Sequence, residues 1–175
     1  MRQEVQKNSI LLLFQELAKR AKSPGRIYIT GGASAVLLGW RENTADVDLK
    51  LMPEPSGVFE AIRDLKEIMK ISIELASPDD FVPAPIGWQD RSVYIAAYNG
   101  VEFYHYDFYT QALSKIERGH VRDIKDVEAM IANGYINPKM LCLYYQEVEP
   151  RLIQYPSIHV SEFKKKMEAF CGKIS

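Results

Sequence analysis

Cysteine is scarce in this chain. Its two copies, Cys142 and Cys171, sit apart in C-terminal segments. They form no CxxC pair and no disulfide framework, so a small disulfide-stapled scaffold is excluded and a reducing, cytoplasmic location is expected. Long apolar runs are also missing. The run Ile10 to Phe14 falls far short of the roughly 18 residues of a membrane span. Glu4 and Glu16 bracket it inside a helical pattern, so a signal peptide is not expected either. Neither charge sign is in excess: 22 Lys and Arg face 23 Asp and Glu, a net charge of −1. That balance argues against dominant non-specific nucleic-acid binding and leaves room only for a local basic patch. Repeats and low-complexity tracts are absent. So are the common phosphate loops, GxxxxGK[ST] and GxGxxG. What remains is ordinary globular material, 47% hydrophobic and 26% charged over 175 residues, enough to bury a sizeable core without a staple.

The pattern predicts an amphipathic helix over 3–21, with Val5, Ile10, Leu13, Phe14 and Leu17 at helical spacing. A short strand follows over 26–30 and runs into Gly31-Gly32; a short helix is expected over 33–39. Residues 46–51 alternate cleanly, with Val47, Leu49 and Leu51 on one face and Asp46, Asp48 and Lys50 on the other. Ser56 is placed as the cap of a helix reaching Met69, with Val58, Phe59, Ile62 and Leu65 inward. A third strand is read at 71–75. A Pro-rich loop, 77–90, is long enough to be functional. Asn99-Gly100 then joins strands 93–98 and 101–106 as a hairpin, because both residues tolerate positive φ. Helices are expected near 109–118, 122–133, 138–147 and 160–171. The expected fold is α/β or α+β, a mixed sheet with flanking helices. It divides into a core over 1–108 and a helical C-terminal layer over 109–175, packed on the same domain.

One constellation carries chemistry. Gly31-Gly32 is followed after thirteen residues by Asp46-Val47-Asp48. Carboxylates at i and i+2 of a strand share a face, about 6–7 Å apart at Cα. Like charges so close favour a cation between them. Hard oxygen donors suit Mg²⁺ or Mn²⁺, which completes its shell with water and substrate phosphates. A glycine turn ahead of a helix lets backbone amides and the positive end of the helix dipole meet a phosphate. Ser34 can add a hydroxyl.

The run Ile29-Thr30-Gly31-Gly32-Ala33-Ser34-Ala35, continued by Arg41-Glu42-Asn43-Thr44-Ala45-Asp46-Val47-Asp48-Leu49, resembles the opening of the polymerase β-like nucleotidyltransferase superfamily. Its Arg-x-x-Thr-x-Asp-x-Asp form is similar to a small bacterial group related to AbiEii/MenT-type toxin nucleotidyltransferases and DUF6036-type proteins. Ala112-Leu113-Ser114-Lys115 and Arg122-Asp123-Ile124-Lys125-Asp126 resemble the later motifs of that group, so the likeness spans about residues 26–133. The resemblance implies a nucleotidyltransferase-like fold and metal-dependent transfer of a nucleoside monophosphate from an NTP to an RNA hydroxyl, such as a tRNA 3′ end, or to a protein hydroxyl. It makes Asp46 and Asp48 the Mg²⁺ ligands and Gly31, Gly32 and Ser34 the triphosphate cradle. Arg41 and Thr44 would order the loop into the aspartate strand. Lys115 would meet phosphate or the leaving pyrophosphate, and Asp123 would orient that lysine. A third metal carboxylate is also implied, with Glu74 and Asp107 as the two candidates. A cognate toxin or antitoxin is the implied partner. The same features leave a second reading, a catalytically weak protein of this fold acting as an antitoxin-like or regulatory binding module.

Three further features have plain readings beside functional ones. The aromatics of 93–109 either pack against helices or stack bases. Lys164-Lys165-Lys166 is a solvated helix face or an RNA contact. Trp88 anchors the Pro-rich loop or caps the core. His105 and His120 lack metal-ligand spacing, so zinc is not expected.

Overall fold

The computed structural model describes residues 1–172. The chain divides into two compact units. The first comprises Met1–Ser77 and Ser92–Tyr106; the second comprises Pro78–Arg91 and the chain from Asp107 onward. The Pro-rich segment 78–91 thus groups with the C-terminal helices, whereas the sequence pattern joins it to the N-terminal core.

The first unit is an α+β layer. Helix α1 (Lys7–Arg20) precedes β1 (Gly25–Thr30), α2 (Gly31–Leu38), β2 (Asp46–Leu51), α3 (Val58–Met69) and β3 (Ser72–Glu74); the hairpin β4 (Val93–Tyr98) and β5 (Val101–His105) completes it. The sheet order is β3-β2-β1-β5-β4. Pairs β1–β2 and β4–β5 are antiparallel, and β1–β5 and β2–β3 are parallel. Ile27, Ile29, Val47, Leu49, Ile73, Val101 and Phe103 point to one face and join Ile10, Leu13, Phe14, Leu17, Ile62 and Leu65 in one buried cluster. Phe14 stacks on Phe103 with centroids 4.3 Å apart.

Local chemistry explains most boundaries. Asn99 and Gly100 take φ of 49° and 77°, as the tight hairpin turn requires. Gly39 closes α2 in the left-handed conformation, with φ 95°. Four expectations are revised. Helix α1 starts at Lys7, because Val5 is drawn off into a two-way backbone bridge with Thr44. Helix α2 starts at Gly31, so the glycines are its first turn and not a loop before it. Gly57, not Ser56, precedes α3, and the Ser56 amide is held instead by Ser23 Oγ. Phe59 lies on the outside of α3, 58% exposed, because the burial stripe passes through Val58, Ala61, Ile62 and Leu65.

The second unit is helical: α4 (Trp88–Arg91), α5 (Phe108–Arg118), α6 (Val121–Ala132), α7 (Pro138–Val148) and α8 (Val160–Cys171), with 3-10 turns at Pro78–Asp80 and Glu149–Gln154. Helix α5 packs on α6, α7 and α8. Asp107 caps α5 and Asn137 caps α7, each accepting from two backbone amides. Lys166 donates to the Glu117 carbonyl at 2.7 Å, so one of the three consecutive lysines ties α8 to the end of α5. Segment 78–91 is strapped down. Arg91 donates to the carbonyls of Pro85 and Ile86, Arg151 to that of Ala84, and the Tyr155 hydroxyl to that of Asp79.

The two cysteines correct the compositional reading. Cys142 of α7 and Cys171 of α8 form a disulfide, with Cα atoms 5.9 Å apart. Each lies within a helix, and it is the antiparallel return of α8 onto α7 that brings them together. Their spacing therefore carries no information on compartment.

Candidate active site

One face of the first unit's sheet carries the candidate carboxylates. Strand β1 pairs antiparallel with β2 so that Thr30 stands opposite Asp48, and β3 pairs parallel with β2 so that Glu74 also stands opposite Asp48. Residues paired across strands share a face. Thr30, Asp48 and Glu74 therefore form one row, with Asp46 and Ser72 one row along. Asp46 and Asp48 are partly exposed and Glu74 is exposed, while Val47 and Leu49 between them are buried. The alternation in the sequence thus places both aspartates on the solvent-accessible face.

Helix α2 grows directly out of β1 beside this row. Gly31 has φ +64°, and a Cβ built there would lie 3.1 Å from Asp48 Oδ2. A Cβ on Gly32 would lie 2.2 Å from Thr44 Oγ1 and 2.9 Å from an Arg41 guanidinium nitrogen. Only glycine leaves room for both neighbours. Thr30 at the cap makes no side-chain hydrogen bond to the first turn of α2. Thr44 donates to the Asp46 carbonyl at 3.2 Å, and its backbone pairs with Val5. Gly31, Gly32, Arg41, Thr44, Asp46, Asp48 and Glu74 are thereby gathered in one region of the first unit, from segments up to 43 residues apart in the chain.

Ser34 lies inside the fold. It is 1% exposed, and its hydroxyl shares a 2.6 Å hydrogen bond with His105 Nδ1. The bond pins the first turns of α2 to β5. His105 is itself buried, and burial pulls its pKa down to about 4, so the ring is neutral at physiological pH. This histidine was not legible in the sequence as a partner of Ser34, because the two are 71 residues apart.

Lys115, Asp123 and Asp107 belong to the second unit. Lys115 Nζ is 2.7 Å from Asp126 Oδ2 and 3.8 Å from Asp123 Oδ1, with all three side chains buried. Asp123 also takes both nitrogens of the Arg118 fork, at 2.5 and 2.7 Å. Burial opposes ionisation of Asp123, yet the Arg118 hydrogen bonds and the charges of Arg118, Lys115 and His120 outweigh it, and its pKa falls below the ordinary value. In this structure the residues of that motif form a buried charge cluster joining α5 to α6. Asp107 accepts from the Tyr109 and Thr110 amides, from Thr110 Oγ1 at 2.7 Å and from Arg91 at 2.9 and 3.1 Å. Its oxygens are engaged in capping α5 and pairing with Arg91.

The donor set suits a hard divalent cation only in part. Asp46 and Asp48 supply the two carboxylates that Mg²⁺ commonly takes from protein. Glu74 shares their face, but among the described residues no three His, Cys, Asp or Glu side chains are gathered closely enough to hold an ion.

No helix among the described residues is long and apolar enough to cross a membrane. Nothing matches the chain among curated proteins or among solved structures. A family model does match, over residues 8–171, which covers both the glycine–aspartate region and the helical unit. The chain therefore belongs to the DUF6036 family, described as nucleotidyltransferases of unknown function.

Proposed function

We propose that the chain transfers a nucleoside monophosphate from an NTP to a hydroxyl acceptor on RNA or protein, with Asp46 and Asp48 holding Mg²⁺ or Mn²⁺. The observation that carries this reading is the juxtaposition of the two-aspartate face of β2 with the glycine start of α2. The metal, when bound, would neutralise phosphate charge and favour ionisation of the attacking hydroxyl. The chain's own residues do the rest. The first turn of α2 offers backbone amides and the positive end of its dipole to phosphate oxygens, and Gly31 and Gly32 keep that approach free of side chains. Thr44 and Arg41 hold the strand entrance against Gly32. The acceptor oxygen forms its bond to the α-phosphorus as the bond to the bridging oxygen breaks. Pyrophosphate leaves, and the hydroxyl proton passes to water or to a carboxylate of this face. Positioning and charge stabilisation supply most of the acceleration in such a transfer. Lys115, Asp123 and Ser34 take no direct part in this chemistry, since each has its polar atoms engaged inside the fold.

The test is incorporation of α-labelled NTP into RNA or protein acceptors, with and without Mg²⁺. Transfer that is lost in an Asp46→Asn/Asp48→Asn variant of unchanged melting temperature supports the reading; equal transfer by that variant refutes it. A toxin-like role with a cognate partner belongs to the same proposal. One observation favours a second reading, a nucleotide-responsive binding module: among the described residues no three His, Cys, Asp or Glu side chains are grouped closely enough to hold an ion. Pyrophosphate release at more than background rate eliminates it.

A further inference from the structure

The row beside the carboxylates is aromatic. Lys50, Tyr28, Tyr104 and Tyr94 stand opposite one another across β2, β1, β5 and β4. Lys50 and Tyr28 are each two residues from the carboxylate row, at Asp48 and Thr30, so the two rows share the same face. The rings touch in series: Tyr28 and Tyr104 centroids are 5.7 Å apart, and Tyr104 and Tyr94 are 5.6 Å apart and nearly perpendicular. The inner end of the row is buried at Tyr28, and the outer end is open, with Tyr94 57% exposed. One row further on, Arg26 lies over the Tyr104 ring at 5.0 Å. Glu102 fixes both, pairing with Arg26 at 3.1 Å and accepting from the Tyr104 hydroxyl at 2.7 Å.

A large ring held by a neighbour's edge, with most of its surface in water, offers a flat face at little further entropy cost. A guanidinium plane with its charge partly compensated sits one row along, and it stacks on bases as an aromatic does. The strand spacing puts Tyr104 about 12 Å and Tyr94 about 16 Å from Asp48. That is the reach of a few stacked nucleotides at about 3.4 Å each. An exposed ring beside two cations is the kind of surface that single-stranded nucleic acid uses.

We infer that Tyr94 and Tyr104, flanked by Arg26 and Lys50, form a stacking platform for a single-stranded nucleic-acid acceptor whose terminal hydroxyl reaches the Asp46–Asp48 face. The inference rests on the proposed transferase reading for its reaction and on the sheet face alone for its binding.

The experiment separates the two. Anisotropy of a fluorescein-labelled single-stranded RNA dodecamer of mixed sequence is measured with wild-type protein, Tyr94→Ala, Tyr94→Trp and Asp46→Asn/Asp48→Asn, each at low and moderate salt. Truncation to alanine is expected to weaken binding about five- to 150-fold, the range for one lost base–aromatic stack. Tyr94→Trp keeps a ring and is expected to stay within about twofold of wild type. The carboxylate variant is expected to retain binding. Equal affinity of Tyr94→Ala and wild type overturns the platform, as does absence of RNA binding in a protein that labels polypeptides. If RNA binds through Tyr94 but no NTP is ever transferred, the platform stands and the transferase reading falls.

Discussion

Acidification gives a direct probe of the bond that anchors α2. His105 is 5% exposed, shares a 2.6 Å hydrogen bond with Ser34, and is held by burial at a pKa of about 4 against an ordinary 6.5. Between these two values the unfolded chain binds a proton at this site and the native chain does not. Stability is therefore full above pH 6.5 and falls as pH drops through the window, because protons favour the unfolded state. Each tenfold difference in proton affinity between the two states is worth about 1.4 kcal/mol, so the whole window costs roughly 3 kcal/mol, and about 2 kcal/mol is already lost at pH 5. Urea unfolding at half-unit pH steps from about 4.5 to 7.5 reads this directly. His105→Asn keeps a hydrogen-bonding group near the Nδ1 position but does not titrate. Every other ionisable group is common to both proteins, so the difference between their stability curves isolates His105. A wild-type curve that declines below pH 6.5 while the variant stays flatter by about 2 kcal/mol at pH 5 is the expected result. Parallel curves would show that His105 is charged, or solvated, in the native state, and would refute the argument.

Three other perturbations test the remaining contacts. Gly32→Ala puts a Cβ within 2.2 Å of Thr44 Oγ1, so Thr44 and Arg41 must move; a loss of about 1–3 kcal/mol by thermal melting is expected, together with weaker Mg²⁺-NTP stabilisation. Lys115→Met strips the ammonium from buried Asp126 and is expected to cost about 3–5 kcal/mol in urea unfolding, with Asp126→Leu added in the same chain recovering much of it, since a buried pair and an apolar pair are worth similar amounts. A Lys115→Met protein as stable as wild type but unable to bind NTP would restore the phosphate-contacting role to this lysine. Reduction of the Cys142–Cys171 bond, which spans 29 residues, or Cys142→Ser, is expected to lower stability by roughly 3–4 kcal/mol through loop entropy, and thiol titration of the unreduced, denatured protein should find no free cysteine.

What is readable in the sequence is local. The i, i+2 aspartates on β2 and the Asn99-Gly100 hairpin follow from backbone preference or side-chain period over a few residues. The glycine–aspartate half of the candidate site is readable for the same reason: its residues lie within 18 positions, and a family resemblance acts on such a stretch. The expectations that change are those that depend on a second segment. The helical stripe around Val58 is broad enough to take in Phe59, and only contact with a core decides which edge of a stripe is buried. Lys115 and Asp123 match a phosphate-contacting motif, but a motif shows residue type and spacing. It does not show whether a charge already has a partner eleven residues on, as Lys115 has in Asp126.

Sequence alone indicated an α/β or α+β chain with a glycine turn and short helix ahead of a paired-carboxylate strand, because dihedral preference and hydrophobic period are short-range properties of the chain. Tertiary structure alone decided the strand order β3-β2-β1-β5-β4, which sets Thr30 and Glu74 opposite Asp48 and lines Tyr28, Tyr104 and Tyr94 into one row. It also decided the Ser34–His105 bond and the union of Cys142 with Cys171. The physical reason is common to all of these. Each joins segments well separated along the chain, and such pairs are chosen by burial of the whole apolar face in one register, an energy that belongs to no single segment.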